Sequence, residues 1–267
     1  MIDKNIFEKM MEKAVGRRYT SMNYIGFEDC ENAKILRNDD QDQLILLWDD
    51  SKTPAMLYFA TDDFGLVMTE ITNIQGSLRL HFVPREFAEQ LTALGFIEWA
   101  EMVDFWNYDI AKTVKELDDL DKLDTQDTPE FLIANEAEQV AVVSKKCELQ
   151  SRGFEGLDLE KVLEWLDEGD VIIQRKDGTI AGFCAVSIYD KGTTLWLRAI
   201  AVDPDHQGCG IGKALVRQAI RYGSQKGATK AFLAADALNI NAIGLYNKYG
   251  FFAKESEKEL QMVKTGG

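Results

Sequence analysis

The sequence predicts an α+β protein (an α/β mixed sheet): a central mixed sheet of six or seven strands flanked by helices in the C-terminal half, preceded by a smaller N-terminal α+β domain. Three observations carry this expectation. Short apolar runs bounded by Asp, Gly or Pro alternate with stretches whose apolar residues recur at helical spacing. The acidic excess is uneven, with 13 Lys+Arg against 26 Asp+Glu through Asp127 and 17 against 19 thereafter. An acidic, apolar-poor stretch, 114–128, lies between the two regions. The expected domains are therefore 1–113 and 129–267, joined by 114–128 as a solvated linker or short helix, with the cut at Pro129.

In the first region, residues 5–15 read as a helix stopped by Gly16. Strands are expected from Leu44 to Trp48, Ala55 to Ala60 and Ser77 to Val83, and a further one between Gly65 and Ile71. Pro84 opens a helix that Gly95 ends. Phe96 to Tyr108 reads as a strand heavy in aromatics. In the second region, Phe131 to Ala134 is a short strand, followed by helices from Glu136 to Gln150 and from Asp158 to Asp167. Strands Val171 to Gln174 and Ile180 to Tyr189 flank Asp177-Gly178, a tight-hairpin signal. Strand Thr194 to Val202, a helix from Gly210, strand Lys230 to Ala234, a helix Asn239 to Tyr249 and a strand from Phe251 complete it.

Composition narrows the function classes. Hydrophobic residues make up 46% and aromatics 10%, enough for a sizeable core. A net charge of −15 argues against a surface that tracks nucleic-acid phosphates or anionic lipid, and tolerates a cationic partner such as an amine. Cys30, Cys147, Cys184 and Cys209 form no CxxC pair, and His81 and His206 are the only histidines. Neither a disulfide framework nor a metal site is expected. The charged N-terminus does not read as a signal peptide, and no apolar run approaches the ~18 residues of a membrane span. A soluble, cytoplasmic protein is the expectation.

The most informative stretch runs from Ile200 to Leu215. An apolar strand is stopped by Asp203-Pro204, and three glycines then lead into an amphipathic helix. Loop and first-turn N–H groups, with the helix dipole behind them, form an anion site, and glycines keep side chains from holding phosphates away. A Walker A loop requires Ser or Thr after Gly-Lys, and Ala214 follows Gly212-Lys213. A GxGxxG fingerprint requires glycine at 213, which is Lys. Gln207-Gly208-Cys209-Gly210-Ile211-Gly212 instead matches Gln/Arg-x-x-Gly-x-Gly/Ala. About 30 residues later, Asn239 to Phe251 matches N-x-x-A-x-x-L-Y-x-x-x-G-F at every fixed position.

These two segments resemble the paired motifs of the GNAT N-acetyltransferases, and the resemblance spans roughly Phe131 to Val263. It implies a mostly antiparallel mixed sheet and acetyl-CoA as cosubstrate. Carried over, the backbone of Ile200, Ala201 and Val202 receives the thioester and pantetheine arm. Gln207, Gly208, Cys209, Gly210, Ile211, Gly212 and Lys213 hold the pyrophosphate, and Asn239 contacts the arm. The amide of Ile200 is the oxyanion donor. Tyr246 occupies the position of the general acid, its alternative role being a tyrosine wedged under the loop. Where many relatives carry a glutamate base, six residues before Val202, this chain has Trp196. Asp236, Asp190 and Glu136 are acids without a spacing argument, and no base is assigned.

The leading expectation is an enzyme that acetylates a primary amine of a small molecule or peptide by direct attack. The alternative is an acyl-CoA-binding regulatory or sensory module without turnover. The helix–Gly-Phe–strand pattern at 84–106 echoes 239–263 and suggests a degenerate GNAT-like first half. It lacks a glycine loop, so it is not expected to bind coenzyme A. Part of an acceptor pocket, a homodimer surface and a structural brace are its candidate roles.

Overall fold

The computed structural model describes residues 2–23, 25–41, 43–120, 128–148 and 150–266. The first half runs α1 (Lys4–Ala14), β1 (Tyr19–Thr20), α2 (Phe27–Cys30), β2 (Lys34–Asp39), β3 (Leu44–Asp49), β4 (Ala55–Thr61), α3 (Phe64–Ile71), β5 (Leu78–Val83), a 3-10 turn, α4 (Ala88–Ala93) and β6 (Ile97–Asn107). The second half follows as α5 (Ile110–Leu120), β7 (Glu130–Phe131), a 3-10 turn, α6 (Ala137–Cys147), α7 (Leu159–Glu168), β8 (Asp170–Lys176), β9 (Thr179–Tyr189), β10 (Thr194–Val202), a 3-10 turn, α8 (Ile211–Gln225), β11 (Lys230–Asp236), α9 (Ile240–Lys248) and β12 (Phe252–Lys264).

The chain forms two compact units that do not coincide with its linear halves: Met1–Glu101 with Lys258–Gly267, and Met102–Glu257. Each unit takes its last strand from the other half of the sequence. In the first unit, β2, β3 and β4 are antiparallel neighbours, β5 runs parallel to β4, and residues 260–264 of β12 pair antiparallel with β5. In the second, β7, β8, β9 and β10 are antiparallel neighbours and β11 runs parallel to β10. Residues 102–107 of β6 then pair antiparallel with β11. The end of β12, expected to close the C-terminal sheet, lies in the first unit because Leu260 and Met262 join its core. Val103 and Phe105 do the same in the second unit. The stretch expected as a linker begins as α5, whose Ile110 and Leu117 are buried within the second unit. Residues 121–127 lie outside the described residues.

Helices pack on both faces of each sheet, which is why several strands read as continuous apolar runs rather than alternating ones. In the first unit, Leu44, Leu46, Leu57 and Phe59 pack with Phe64, Val67 and Ile71 of α3. Ile45, Leu47 and Tyr58 face Phe7, Met10 and Ala14 of α1. In the second unit, Leu195, Leu197, Ala231 and Leu233 meet Leu215, Ala219 and Tyr222 of α8. Ile173, Phe183 and Ala185 meet Val140, Val143 and Trp165 of α6 and α7.

The segment 65–71, expected as a strand, is helix α3. Asp63 caps it, accepting from the Gly65 N–H at 2.9 Å, and Phe64, Val67 and Ile71 fall on one helical face. The short elements β1 and α2, and the largely exposed strand β2, carried no apolar pattern to announce them.

The Gly-Phe repeat is exact at the level of hydrogen bonds. Gly95 and Gly250 both have positive φ (90° and 76°). The following phenylalanines are buried, Phe96 donating to the Leu91 carbonyl at 3.1 Å and Phe251 to the Tyr246 carbonyl at 3.2 Å. This is the glycine-dependent helix ending that the sequence signalled. A Cβ on Gly250 would also lie 3.0 Å from Nδ2 of Asn107, which donates to the Tyr249 carbonyl. We therefore expect Gly250→Ala to lower the stability of the second unit by about 1–2 kcal/mol, read as a lower urea midpoint with unchanged slope.

Candidate active site

The second unit contains a fork. β10 and β11 share three register pairs, ending at Trp196 with Phe232. β10 then continues to Val202 paired with β9 alone, through an irregularity between Leu197 and Ala199 that bends the strand. The Asp203 N–H donates to the Ala181 carbonyl at 2.9 Å, toward β9. Because backbone groups alternate along a strand, those of Ile200 and Val202 point the other way, into the gap opened by the fork. Among the described residues no strand pairs with this edge, some three residues long, though Gln207 and Cys147 take the Val202 carbonyl; it is of the kind an extended ligand can join.

The fork leads directly into the glycine loop. Asp203 starts a 3-10 turn, Gly208 and Gly210 adopt φ of 76° and 88°, and α8 begins at Ile211. A side chain on either glycine would meet nothing within 4 Å, so the loop surface is open above these backbones. Gly212 is packed instead: its Cβ position lies 3.6 Å from Leu245 and 3.7 Å from Val202. Gly182 on β9 lets the start of α8 sit close, since a Cβ there would lie 2.8 Å from Ile211. Lys213 and Cys209 are exposed on the first turn and the loop. An open N-terminal helix end, two left-handed glycines and a lysine suit a phosphorylated ligand.

Two side chains brace the loop from beneath. Gln207 donates through Nε2 to the Val202 carbonyl at 3.2 Å, so its amide is turned back to the strand. The buried Asp203 carboxylate accepts from Lys146 Nζ at 2.7 Å and from the Asp205 N–H at 3.1 Å. Burial alone would raise the Asp203 pKa, but these hydrogen bonds outweigh it and hold the group below the usual carboxylate range.

Tyr246 lies on α9, buried between Phe105 and Phe251, with ring centroids 6.3 and 6.5 Å away. Burial, helped by the neighbouring Cys184 thiol, pushes its phenol pKa up and keeps it protonated at neutral pH. Asn239 caps α9, accepting from the Ala242 N–H at 3.2 Å and donating to Ser151 Oγ at 3.3 Å. Beside it, Arg152 grips Asp236 at the end of β11 with bonds of 3.1 and 2.7 Å.

The structure thus brings Ile200, Ala201, Val202 and 207–213 onto one strand–loop–helix path, with Leu245 of α9 against Gly212. Of the three acids without assignment, Asp236 is held by Arg152, Asp190 sits beyond the opposite end of β10 with Lys230, and Glu136 bonds Arg175. Trp196 stands at the fork, its ring stacked 5.5 Å from Phe232. Lys146, Ser151 and Arg152 were not singled out from the sequence. They reach partners 57 to 88 residues away, and no local pattern signals such pairing.

The first unit has the same fork without an opening. β4 and β5 also share three register pairs, Ala55–Leu78 to Leu57–Leu80. Beyond them, the edge of β4 is taken by β1, with Tyr19 opposite Thr61 and Thr20 opposite Ala60. Phe59, two residues from the end of β4 as Ile200 is from the end of β10, donates to Ser21 Oγ at 2.9 Å and accepts from the Ser21 N–H at 2.9 Å. Asp62 and Asp63 replace the glycine loop, and Leu91 stands where the second unit has Tyr246.

With this geometry in hand, comparison with known proteins is direct. The family model of the acetyltransferase (GNAT) family matches residues 118–251, half of the chain. Curated relatives include a mycothiol acetyltransferase of Streptomyces coelicolor, 30% identical over 38% of this chain and 33% of its own length. A streptothricin acetyltransferase of Streptomyces lavendulae is 39% identical over 28% of this chain and 40% of its own. The match therefore spans well under half of these relatives. Among solved structures, a GCN5-related N-acetyltransferase-like protein from Streptococcus suis superposes with a TM-score of 0.55 at 15% identity, covering 97% of this chain and 98% of its own. A functionally unknown conserved protein from Staphylococcus epidermidis does so with a TM-score of 0.58 at 15% identity, over 92% and 100%. The chain belongs to the GNAT acetyltransferase family, for which acetyl-CoA is the defining cosubstrate.

The Lys146–Asp203 pair gives a signed pH prediction. A carboxyl whose folded pKa is depressed adds stability above its unfolded value, about 3.9, and loses it as pH falls through the folded value. Lys146→Met should lower stability at pH 7, by less than the loss of a fully buried pair because the lysine is partly exposed. The difference from wild type should shrink below about pH 4, as urea melts across pH 3–8 would read.

Proposed function

We propose that the second unit transfers an acetyl group from acetyl-CoA to a primary amine of a small molecule or peptide, by direct attack and without an acyl-enzyme. The observation that carries this reading is the open edge of β10 leading into the glycine loop. The loop residues Gly208 to Lys213 offer N–H groups and one cation to the pyrophosphate, while the backbone of Ile200 and the N–H of Val202, whose carbonyl is taken by Gln207 and Cys147, face the pantetheine arm. Acetyl-CoA supplies an acyl group activated as a thioester.

The amine nitrogen bonds to the acyl carbon, the carbon–sulfur bond breaks, and the proton shed by nitrogen is balanced by one delivered to sulfur. Ile200 N–H, facing the gap, is the donor for the oxyanion that forms between these events. Tyr246, kept protonated by burial, is the acid that meets the leaving thiolate. Asn239 and the Arg152–Asp236 pair fix the start of α9 and so the reach of that phenol.

The first unit we read as a degenerate copy that takes no acetyl-CoA. Its equivalent edge is filled by the chain's own Tyr19 to Ser21, its helix start is capped by Asp63, and Leu91 supplies no proton. The sensory alternative is favoured only by the missing carboxylate at Trp196, which bears on proton removal and not on transfer itself.

Tyr246→Phe tests the assignment. We expect kcat with an amine acceptor to fall by at least about 100-fold while the acetyl-CoA dissociation constant, measured by calorimetry, stays within twofold. Unchanged kcat would remove Tyr246 from the chemistry, and tight cofactor binding with no thiol release from any amine would favour the sensory module.

A further inference from the structure

An alkylamine reaches an enzyme at neutral pH as an ammonium ion, and its proton must leave before nitrogen can attack. Trp196 stands where many relatives carry the glutamate that would take it. Past the fork, the face of the sheet toward α8 is closed: Leu195, Leu197, Ala231 and Leu233 lie in that core together with Tyr246. An acceptor therefore reaches the gap over the opposite face, with Tyr246 beneath it.

Strand register fixes what stands on that opposite face. Trp196 pairs with Phe232 and Phe232 with Trp106, their rings stacked 5.5 and 5.0 Å apart. Two residues further along β11, Ala234 pairs with Asp104 of β6. Side chains alternate along a strand, so Ala234 and Asp104 share the face of the three rings. Ala234 borders the gap on the β11 side and is exposed; its methyl group leaves room over the sheet between Asp104 and the gap. Asp104 itself is half-buried. Neighbouring strands lie ~4.8 Å apart, which puts a chain seated in the gap about 10 Å from β6. The aspartate side chain covers part of that span. The acceptor nitrogen and one water, joined by hydrogen bonds of ~2.9 Å, cover the rest.

The other acids of this face serve elsewhere. Asp236, at the end of β11, takes bonds from Arg152 on both oxygens, and its side chain is 3% exposed. A proton there would cost the pair its attraction. Glu168 of α7 bonds Arg198, whose guanidinium also lies 3.5 Å from Ser187 Oγ on β9 and so leans away from the gap. Asp190 pairs with Lys230 beyond the opposite end of β10. On the β12 side, Lys254 stands 6.0 Å from the Trp106 ring. Among the described residues, Asp104 is the half-buried carboxylate that the sheet sets next to Ala234 and the gap.

We infer that Asp104 is the base of this site, taking the ammonium proton of the acceptor through one water. This rests on the transferase reading above. The first proton passes to Asp104 and on to solvent. The neutral nitrogen bonds to the acyl carbon, the carbon–sulfur bond breaks, and sulfur takes the Tyr246 phenol proton. The second proton shed by nitrogen returns to the phenolate. The base thus comes from β6, which precedes residues 118–251 matched by the family model. The half that holds the cofactor motifs is incomplete without that strand.

Two small nucleophiles separate this role from a structural one: propylamine, an ammonium ion at neutral pH, and methoxyamine, which is neutral there. Thiol release from acetyl-CoA by the full-length protein is followed from pH 6 to 9 for wild type, Asp104→Asn and Asp104→Glu. Asp104→Asn should lower kcat/KM for propylamine at pH 7 by at least about 100-fold. Its remaining rate should rise about tenfold per pH unit, because only the neutral amine, roughly one part in 10³ at pH 7, still reacts. Wild type and Asp104→Glu should show a flatter profile, since a carboxylate is ionised across this range. With methoxyamine, wild type and Asp104→Asn should agree within about threefold, and their acetyl-CoA dissociation constants within about twofold.

The same propylamine slope in wild type and Asp104→Asn would overturn the inference. Equal losses with both nucleophiles, at retained acetyl-CoA affinity, would also overturn it by marking a structural role. If acetyl-CoA binds and neither nucleophile is acetylated, the transferase reading fails and the role of Asp104 falls with it.

Discussion

Everything in the site depends on a strand edge that no other described strand pairs. Parallel pairing of β10 with β11 lasts three residues and stops at Trp196, while β10 stays anchored to β9 as far as Val202. An unpaired edge inside a sheet exposes backbone donors and acceptors that would normally be satisfied by a neighbour. Here they lie beside a helix N-terminus that carries its own unsatisfied N–H groups. The fold thus aligns two deficits of hydrogen bonding along one path, and a ligand that is extended at one end and anionic at the other makes up both.

The first unit shows the physical force of that constraint by meeting it differently. Its β4 and β5 separate after the same number of pairs, yet its edge does not stay open. Ser21 satisfies both backbone groups of Phe59, and Tyr19 and Thr20 extend the sheet. Asp63 satisfies the start of α3, where a phosphate would be repelled by the carboxylates of Asp62 and Asp63. One architecture is closed with its own chain, and in the other no described strand fills the edge. The first unit takes residues 258–267, with the end of β12, from the C-terminal end of the chain, and the second takes residues 102–107 of β6 from the first half.

Buried charge is used sparingly in the second unit and always to hold something that backbone cannot. Lys146 fixes Asp203 at the strand-to-loop corner, and Arg152 fixes Asp236 at the end of β11. Each pair joins the α6 region, through its last turn or the segment after it, to one side of the gap. Geometry at the gap is thereby set by contacts distant in sequence, and a loss of either pair leaves a nearly buried carboxylate without its counter-charge.

The sequence alone determined the elements and the chemistry of the loop. Thr194 to Val202, Asp203-Pro204, the glycines at 208, 210 and 212 and the helix after them are local: strand propensity, a strand stop, left-handed turns and an amphipathic period, each readable within a few residues. The Gly-Phe helix endings were legible for the same reason. The segment 65–71 was not, because a short apolar run fits either period and only the Asp63 cap and packing of Val67 and Ile71 decide for helix. Tertiary structure alone decided which strand pairs with which, that Tyr19 to Ser21 fill one fork, and that Trp196, Phe232 and Trp106 form a single row. Those facts depend on register between strands separated by tens of residues, and register is fixed by the cores on the two faces of the sheet, which no local pattern contains.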